Sequence, residues 1–241
     1  MICEIDEGYQ YGIGVFETIS VVDGRAVFLE RHIQRMEKSL KRLHIGKTVS
    51  KTEILCYLRK NYMKNGVLKI CVSEENILFL HRDNTYHLSQ YQKGFEVATS
   101  KILRNETDTC IYHKMLNCAV NILEKRNFAK QGIDEPVFIN TKGYLAEGAT
   151  TNIFFVKGKL LYTPDMKCGL LPGVMRDYII ENYQVRQDFI KKEDVQFFDE
   201  MFLTNSLLGI MPVRKFHNII FDKMEMGKRL NEEYLMKRAD L

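Results

Sequence analysis

The sequence lacks the features that mark zinc-binding, membrane-spanning or nucleic-acid-binding proteins. Its six cysteines are widely spread, with no Cys-x-x-Cys pair and no Cys/His cluster at zinc spacing. No stretch approaches the roughly 20 apolar residues that span a bilayer, and the first residues lack the basic and apolar regions of a secretory signal. Basic residues are dispersed, which disfavours a nucleic-acid partner. We therefore expect a cytoplasmic protein with free thiols, no metal site and no membrane contact.

The composition is that of a globular protein. Of the 241 residues, 45% are hydrophobic and 27% are charged, values typical of folded domains. This length allows one large domain or two small ones. The net charge of +4 is mild and would suit a small anionic substrate.

The first hundred residues predict an α+β layer. Residues 15–22 form a β-rich run that meets residues 25–29 across Asp23-Gly24, a strong hairpin signal. Apolar residues at helical spacing predict a helix from Leu29 to Leu43, closed by Gly46. Ser50 and Glu53 form a capping box that opens a second helix, which ends near residue 65. Strands follow at residues 67–72, 77–81 and 95–100, and we assign residues 1–104 to an N-terminal domain.

Residues 101–109 lose periodicity and become polar, as expected of a connection between domains. The C-terminal domain is then residues 105–241. Its predicted helices and strands follow in this order: a helix at 115–130 ended by Gly132, strands at 137–139, 153–156 and 160–162, a helix at 174–182, a strand at 202–204 and a terminal helix at 225–238.

One lysine and one acid stand out from this background. Lys114 lies in Tyr-His-Lys-Met-Leu-Asn at residues 112–117, between a predicted strand and a predicted helix. Glu147 follows 33 residues later, in Leu-Ala-Glu-Gly-Ala-Thr-Thr-Asn at residues 145–152. An amine that can form a Schiff base and a carboxylate that can hold a pyridinium nitrogen are the minimum that pyridoxal 5′-phosphate (PLP) chemistry asks of a protein. Without their context, both would be read as solvated surface residues.

Five segments in order resemble the class IV aminotransferases, the PLP enzymes of fold type IV. They are Tyr-Gly-Ile-Gly-Val-Phe-Glu-Thr at 11–18, His-Ile-Gln-Arg at 32–35, the Lys114 segment, the Glu147 segment and Pro-Gly-Val-Met-Arg at 172–176. The resemblance implies a mixed α+β fold with an N-terminal α/β sandwich and a C-terminal barrel-like α/β domain. It also implies PLP as cofactor and a homodimer.

The resemblance also implies roles for individual residues. Lys114 would hold PLP covalently and act as the catalytic base, and Glu147 would pair with the ring nitrogen. Arg35, which otherwise sits in a run of cations typical of a solvated helix face, would bind the phosphate. The amides of Val174 and Met175 would complete the phosphate cradle at a helix start. Ser206 could add a hydroxyl, or could be an ordinary turn serine.

Four further residues are candidate substrate ligands. Lys69, in the middle of an apolar strand, could meet a carboxylate or could simply face outward. Asn205 could hydrogen-bond the substrate or serve as a turn asparagine. Arg82 and Tyr11 are further candidates.

Within the family, the motifs resemble the aminodeoxychorismate lyases most closely. They include Asn-Gly-Val-Leu-Lys-Ile at 65–70, Gly-Val-Met-Arg at 173–176 and the run from Thr204 to Val213. The implied reaction converts 4-amino-4-deoxychorismate to 4-aminobenzoate and pyruvate. Two alternatives stay open: a branched-chain or D-amino acid aminotransferase of the same fold, and a non-catalytic PLP-binding relative.

Overall fold

The computed structural model describes residues 3–238 and 240–241, which form two compact units. The first unit comprises the described residues up to Thr85, together with His113–Cys118 and the described residues from Met236 onward. The second comprises Tyr86–Tyr112 and Ala119–Leu235. The sequence suggested a single boundary after residue 104. The units divide differently because the strand that begins at Phe95 continues to Arg104 within the sheet of the second unit.

The first unit is a four-stranded antiparallel sheet with helices. Its strands lie in the order β2-β1-β3-β4. In chain order its elements are α1 (Glu7–Tyr11), β1 (Val15–Val22), β2 (Arg25–Ala26), α2 (Leu29–Arg42), α3 (Lys51–Lys60), β3 (Gly66–Val72) and β4 (Ile77–Arg82).

The core of the first unit lies between this sheet and α2 and α3. Side chains alternate between the two faces of a strand, so Val15, Ile19 and Val21 of β1 point to the same face and join Met36 of α2 and Ile54 of α3 in one cluster of buried apolar residues. Residue 17 has the same parity and belongs to that buried face. Residue 16 belongs to the opposite face of the sheet.

The second unit is a mixed α/β structure around one large sheet. In chain order its elements are α4 (Leu88–Lys93), β5 (Phe95–Arg104), α5 (Ala119–Ala129), β6 (Glu135–Asn140), β7 (Leu145–Gly148), β8 (Asn152–Lys157), β9 (Leu160–Pro164), α6 (Val174–Asn182), β10 (Val185–Asp188), β11 (Glu200–Asn205), β12 (Gly209–Phe216), β13 (Ile219–Ile220) and α7 (Glu225–Lys237). Short 3-10 helices lie at Thr109–Tyr112, Met166–Cys168 and Lys192–Phe197.

This sheet curls on itself. Its strands run β10-β9-β8-β11-β12-β5-β6-β7, with β13 on β12, and β7 at one end also contacts β8 and β9. The parallel pairs are β9/β10, β5/β12 and β5/β6. Its fully buried side chains include Phe138, Phe154 and Phe202, the last two stacked at 5.1 Å across paired strands. The predicted fold class, a mixed α/β structure with a barrel-like second domain, is confirmed.

Several local predictions were correct. Asp23 and Gly24 form the β1–β2 turn with φ of 48° and 79°. Ser50 and Glu53 form the expected capping box, and α6 spans the predicted residues.

Other local predictions were wrong. The left-handed residue after α2 is His44, with φ of 58°, and not Gly46. The helix predicted from Met115 begins only at Ala119. The alternative interpretation of Glu147 as a solvated turn residue is wrong, because Glu147 is buried in β7, a strand that was not predicted. Strands β10 and β12 were not predicted.

None of the helices in the described ranges is long and apolar enough to cross a bilayer.

Candidate active site

The predicted site residues are shared between the two units. Those of the first unit are Tyr11, Arg35, Lys69, Arg82 and Lys114, and those of the second are Glu147, Val174, Met175, Asn205 and Ser206.

Lys114 is fixed by backbone bonds to the start of β1. Its carbonyl accepts from the Phe16 amide at 2.9 Å, and the Leu116 amide donates to the Gly14 carbonyl at 2.9 Å. Gly14 permits this approach, because a Cβ there would lie 2.6 Å from Leu116 Cδ1 and 2.7 Å from the Val72 carbonyl oxygen. The Lys114 segment therefore lies beside the start of β1 like a short additional strand, and these hydrogen bonds to the sheet fix the position of its backbone.

An aromatic ring lies beneath the Lys114 amine. Lys114 Nζ sits 4.5 Å from the centroid of the Phe16 ring, and Lys69 Nζ sits 4.6 Å from the same centroid. Cation–π contacts of this kind are attractive by about 0.5–2 kcal/mol each. Lys114, the predicted catalytic residue, and Lys69, a predicted substrate ligand, thus contact the same ring, on the face of the sheet opposite α2 and α3.

Arg35 is oriented by a buried carboxylate. Its Nε and Nη2 atoms donate to the two oxygens of Glu17 at 2.8 and 2.7 Å, the two-point geometry that a guanidinium favours. Glu17 is 1% exposed, and its Oε2 also lies 2.6 Å from Nδ1 of the buried His32. These contacts fix the guanidinium plane of Arg35 on α2.

The charges in this cluster are balanced. Burial opposes ionisation of Glu17, but the charge of Arg35 and the hydrogen bonds from Arg35 and His32 together hold its pKa well below the usual range. Burial lowers the pKa of His32, against the attraction of Glu17. A neutral His32 would donate from Nδ1 to Glu17, which leaves its Nε2 buried without a hydrogen bond among the described residues.

The other candidates of the first unit lie closer to solvent. Lys69 is half-buried in the middle of β3. Arg82, the last residue of β4, is exposed and donates to the Asp83 carbonyl at 2.8 Å. Tyr11, the last residue of α1, is 63% exposed. The substrate roles of these three residues stay predictions.

Glu147 is held at both carboxylate oxygens. Oε2 accepts from the Leu171 amide at 3.0 Å, and Oε1 lies 3.3 Å from Nη2 of Arg104. The Arg104 guanidinium in turn lies 3.9 Å from the centroid of the Phe138 ring. Burial lowers the pKa of Arg104, and the charge of Glu147 opposes this shift.

The contact with Leu171 also places Glu147 beside the start of α6. The Leu171 carbonyl accepts from Asn152 Nδ2 at 3.0 Å, so both backbone groups of this residue are held from β7 and β8. No side chain of the described residues caps α6, and Val174 and Met175 in its first turn are buried. A helix start of this kind attracts anions through its amide groups.

Asn205 connects two loops of the second unit. Its Oδ1 accepts from the amides of Leu207 and Leu208, both at 2.8 Å, and its Nδ2 donates to the Thr150 carbonyl at 3.1 Å. The loop that carries Ser206 is thereby tied to the loop that follows Glu147. The predicted substrate contact of Asn205 is untested, and its visible role is to hold these loops.

A buried carboxylate holds the loop after Glu147 from the other side. Glu135 is fully buried and accepts from the Thr150 amide at 2.6 Å and from Lys125 Nζ at 2.7 Å. Burial by itself would lower the pKa of Lys125. The charge of the Glu135 carboxylate and the hydrogen bond to it outweigh burial, so the pKa of Lys125 is raised.

Sequence reasoning did not single out Phe16, Glu17, Arg104 or Glu135 as site residues. Phe16 and Glu17 were within a quoted motif, and a buried acid on an apolar strand face could have indicated Glu17. Arg104 lay in a segment that was interpreted as a polar connection, so no local pattern marked it.

Three comparisons place the chain among known proteins. The family model described as amino-transferase class IV matches residues 14–216. The chain is 31% identical to the aminodeoxychorismate lyase of Bacillus subtilis (strain 168), over 91% of this chain and 83% of that protein. It is 26% identical to the branched-chain-amino-acid aminotransferase of Escherichia coli (strain K12), over 93% and 84% of the two chains. The crystal structure of 4-amino-4-deoxychorismate lyase from Pseudomonas aeruginosa has the same fold, with a TM-score of 0.86 and 24% identity over 100% of this chain and 97% of that one.

Proposed function

The chain belongs to the class IV aminotransferase family, and from this premise we propose that it is a PLP-dependent aminodeoxychorismate lyase. The family is one of PLP enzymes, so the predicted cofactor is confirmed at that level. The proposed reaction converts 4-amino-4-deoxychorismate to 4-aminobenzoate and pyruvate, a step toward folate. The observation that carries the proposal is the 31% identity to a named lyase, which extends over the segments of Lys114 and Glu147.

The side chains of each unit fit the cofactor. In the first unit, Lys114 offers an amine and Arg35 offers a guanidinium whose orientation Glu17 fixes. In the second, Glu147 offers a buried carboxylate for a ring nitrogen, and the uncapped start of α6 offers amides for a phosphate. An amine for an aldehyde, cationic and amide donors for a phosphate, and a carboxylate acceptor for a pyridinium nitrogen are the groups that PLP requires.

The chain's own residues would then divide the work of the reaction. When bound, PLP supplies an electron sink for the substrate carbon that bears nitrogen. Lys114 would remove the proton from that carbon and would later return a proton to the departing enolpyruvyl oxygen, so that one residue serves as base and acid. The Phe16 ring, whose centroid lies 4.5 Å from Lys114 Nζ, would attract this group in its ammonium form, between the removal and the return of the proton.

The charges near Lys114 support an anionic substrate. The substrate of the proposed reaction carries two carboxylates, and Lys69 provides a cation on the same aromatic ring as Lys114. An ammonium group can pair with a carboxylate as a point charge. Arg82 is a further proposed contact at the end of the neighbouring strand.

The competing proposal is a transaminase, which the 26% identity to a branched-chain aminotransferase favours. Both reactions begin with the same proton removal and diverge afterwards. Incubation of the holoenzyme with an amino acid alone separates them: a transaminase converts bound PLP to its amine form and releases a keto acid. With freshly generated aminodeoxychorismate, we expect 4-aminobenzoate and pyruvate in equal amounts. Keto acid from the first assay and no aminobenzoate from the second would contradict the lyase.

The Lys114→Ala variant tests the covalent anchor. Because the variant loses both the amine that binds PLP and the catalytic base, we expect turnover to fall by at least about 100-fold and borohydride to trap no PLP on the chain. Lys60→Ala, at the exposed end of α3, serves as the control and should trap PLP normally. Trapping at another lysine of the Lys114 variant with full turnover would rule out this role. A yellow but inert wild-type protein would instead favour a non-catalytic PLP-binding relative.

A further inference from the structure

Arg104 is a cation buried against the proposed cofactor carboxylate. Its side chain is 13% exposed and that of Glu147 is 8% exposed, and they approach at 3.3 Å through one terminal nitrogen of the guanidinium. The other contact of the guanidinium is with the face of the Phe138 ring at 3.9 Å. Arg104 Nε is buried and has no hydrogen-bond partner among the described residues.

This geometry is poorly suited to a purely structural ion pair. A pair that served only to join β5 to β7 would be expected to use the two-point geometry that Arg35 and Glu17 adopt in the first unit. Here a single nitrogen meets Glu147, and Nε stays unsatisfied at the cost of its desolvation. The second oxygen of the carboxylate is meanwhile fixed by the Leu171 amide. Arg104 therefore acts on Glu147 mainly through its charge.

A nearby fixed cation changes where a shared proton resides. When a carboxylate faces a ring nitrogen in a buried site, one proton can sit on either atom, and a low dielectric favours the neutral pair with the proton on oxygen. A guanidinium beside the carboxylate stabilises its anionic form, and the proton then stays on the nitrogen. A protonated ring nitrogen is the state in which the cofactor withdraws electrons.

We propose that Arg104 is a positioning residue that keeps Glu147 ionised, so that the proton it shares with the cofactor ring stays on the ring nitrogen. This inference rests on the proposed use of PLP and assigns a role to a residue outside the family motifs quoted above. Arg104 would act on the cofactor through its ion pair with Glu147.

The test follows the proton directly. Apoenzyme is reconstituted with PLP labelled with ¹⁵N in the ring, and the ¹⁵N chemical shift reports whether this nitrogen is protonated. We expect a protonated nitrogen in the wild type and in Arg104→Lys, which keeps the charge. We expect an unprotonated nitrogen in Arg104→Met, which keeps much of the length but loses the charge. The turnover of this variant should fall about 10- to 100-fold, the loss typical when an outer partner of a ligating group is removed.

Two further variants separate charge from packing. Arg186→Met removes an exposed arginine of the same unit, whose Nε lies 2.9 Å from Asp188, and should leave the ¹⁵N shift unchanged. If Arg104→Met does not fold, Arg104→Gln gives the same test, because its amide can still donate to Glu147 without a charge. A protonated ring nitrogen in Arg104→Met or Arg104→Gln would overturn the inference while leaving the proposed function intact. A wild-type protein that binds no PLP would overturn both.

Discussion

At the level of single residues, each of the two units contains candidate site residues with buried, paired charges. Glu17, Glu135 and Glu147 are each nearly or fully buried, and each meets a cation, namely Arg35, Lys125 and Arg104 respectively. Breaking such a pair by removing one member typically costs 3–5 kcal/mol, because the remaining charge is left without compensation. Such pairs are weak sources of stability, and their value here is orientation. Glu17 orients Arg35, Glu135 holds the loop after Glu147, and Glu147 is itself held by Arg104 and the Leu171 amide.

His32 gives the first unit a dependence on pH. Burial lowers its pKa below the ordinary value of 6.5, with Arg35 and Lys114 acting in the same direction and Glu17 opposing. The unfolded chain therefore takes up a proton near pH 6.5 that the folded chain resists. We expect the free energy of unfolding to be highest above this pH and to fall as the pH is lowered from 7 toward 5.

Replacing this residue isolates its contribution. His32→Gln keeps a donor for Glu17 but does not titrate, so the apo variant should lose less stability than the wild type between pH 7 and pH 5. Urea unfolding at several pH values measures the difference. His113 and His217, whose pKa values are also lowered by burial, are present in both proteins and cancel. Equal pH slopes in the two proteins would show that His32 is not held neutral.

At the scale of elements, local chemistry determined what the sequence could predict. The capping box of Ser50 and Glu53 acts between neighbouring residues, and it was predicted and is present. A helix was predicted to begin at Met115, but residues 114–116 bond to the start of β1, about a hundred residues earlier in the chain. A contact so distant in sequence leaves no local pattern. The same reason explains why β7, which pairs with β6 and contacts β8 and β9, was not predicted as a strand.

The site shows the same division between motif and context. Lys114, Glu147 and Arg35 could be proposed because they lie in recognisable segments. Their supporting residues could not be proposed as such, since pairing between Arg104 and Glu147 depends on the placement of β5 and β7 within a curled sheet. Asn205 illustrates the converse. Asn205 was predicted to contact the substrate. In the structure, the oxygen and the nitrogen of its side-chain amide both form hydrogen bonds with backbone groups, in two different loops.

The start of α6 offers a test at this scale. A Cβ on Gly173 would lie 1.9 Å from Asn152 Oδ1, so Gly173→Ala must displace either Asn152 or the segment that leads into the helix. We expect a loss of about 1–3 kcal/mol in the free energy of unfolding, as for other overpacked sites. The affinity for PLP should also fall, because the amides of Val174 and Met175 move with the segment.

Gly46→Ala is the matched control for this change. No atom lies within 4 Å of a Cβ at this position, and its φ is not in the left-handed region. We expect its unfolding and its PLP affinity, measured by equilibrium titration of the apoprotein, to match the wild type. Wild-type affinity in Gly173→Ala would show that the helix start does not hold the phosphate.

At the scale of the whole molecule, α5 leaves an apolar surface exposed. None of its residues, all of which are described, is buried. Val120 is 46% exposed, Ile122 is 38% exposed and Leu123 is 54% exposed. A hydrogen bond from Ser100 of β5 to Glu124 of α5 joins the helix to that strand. Leu103, also on β5, is 57% exposed. A patch of exposed apolar side chains marks a surface that binds a partner more often than a surface that stays in contact with solvent.

We propose that a second copy of the chain covers this surface and forms a homodimer. Leu123→Glu places a charge among the apolar side chains, and we expect it to weaken the dimer by at least about tenfold, as loss of a central apolar contact does. Asn127→Glu adds the same charge at an exposed polar position of α5 and should leave the dimer intact. Light scattering coupled to gel filtration reports the mass of each protein. A monomeric wild type would exclude the dimer, and a Leu123→Glu variant that stays dimeric down to the lowest measurable concentration would place the interface elsewhere.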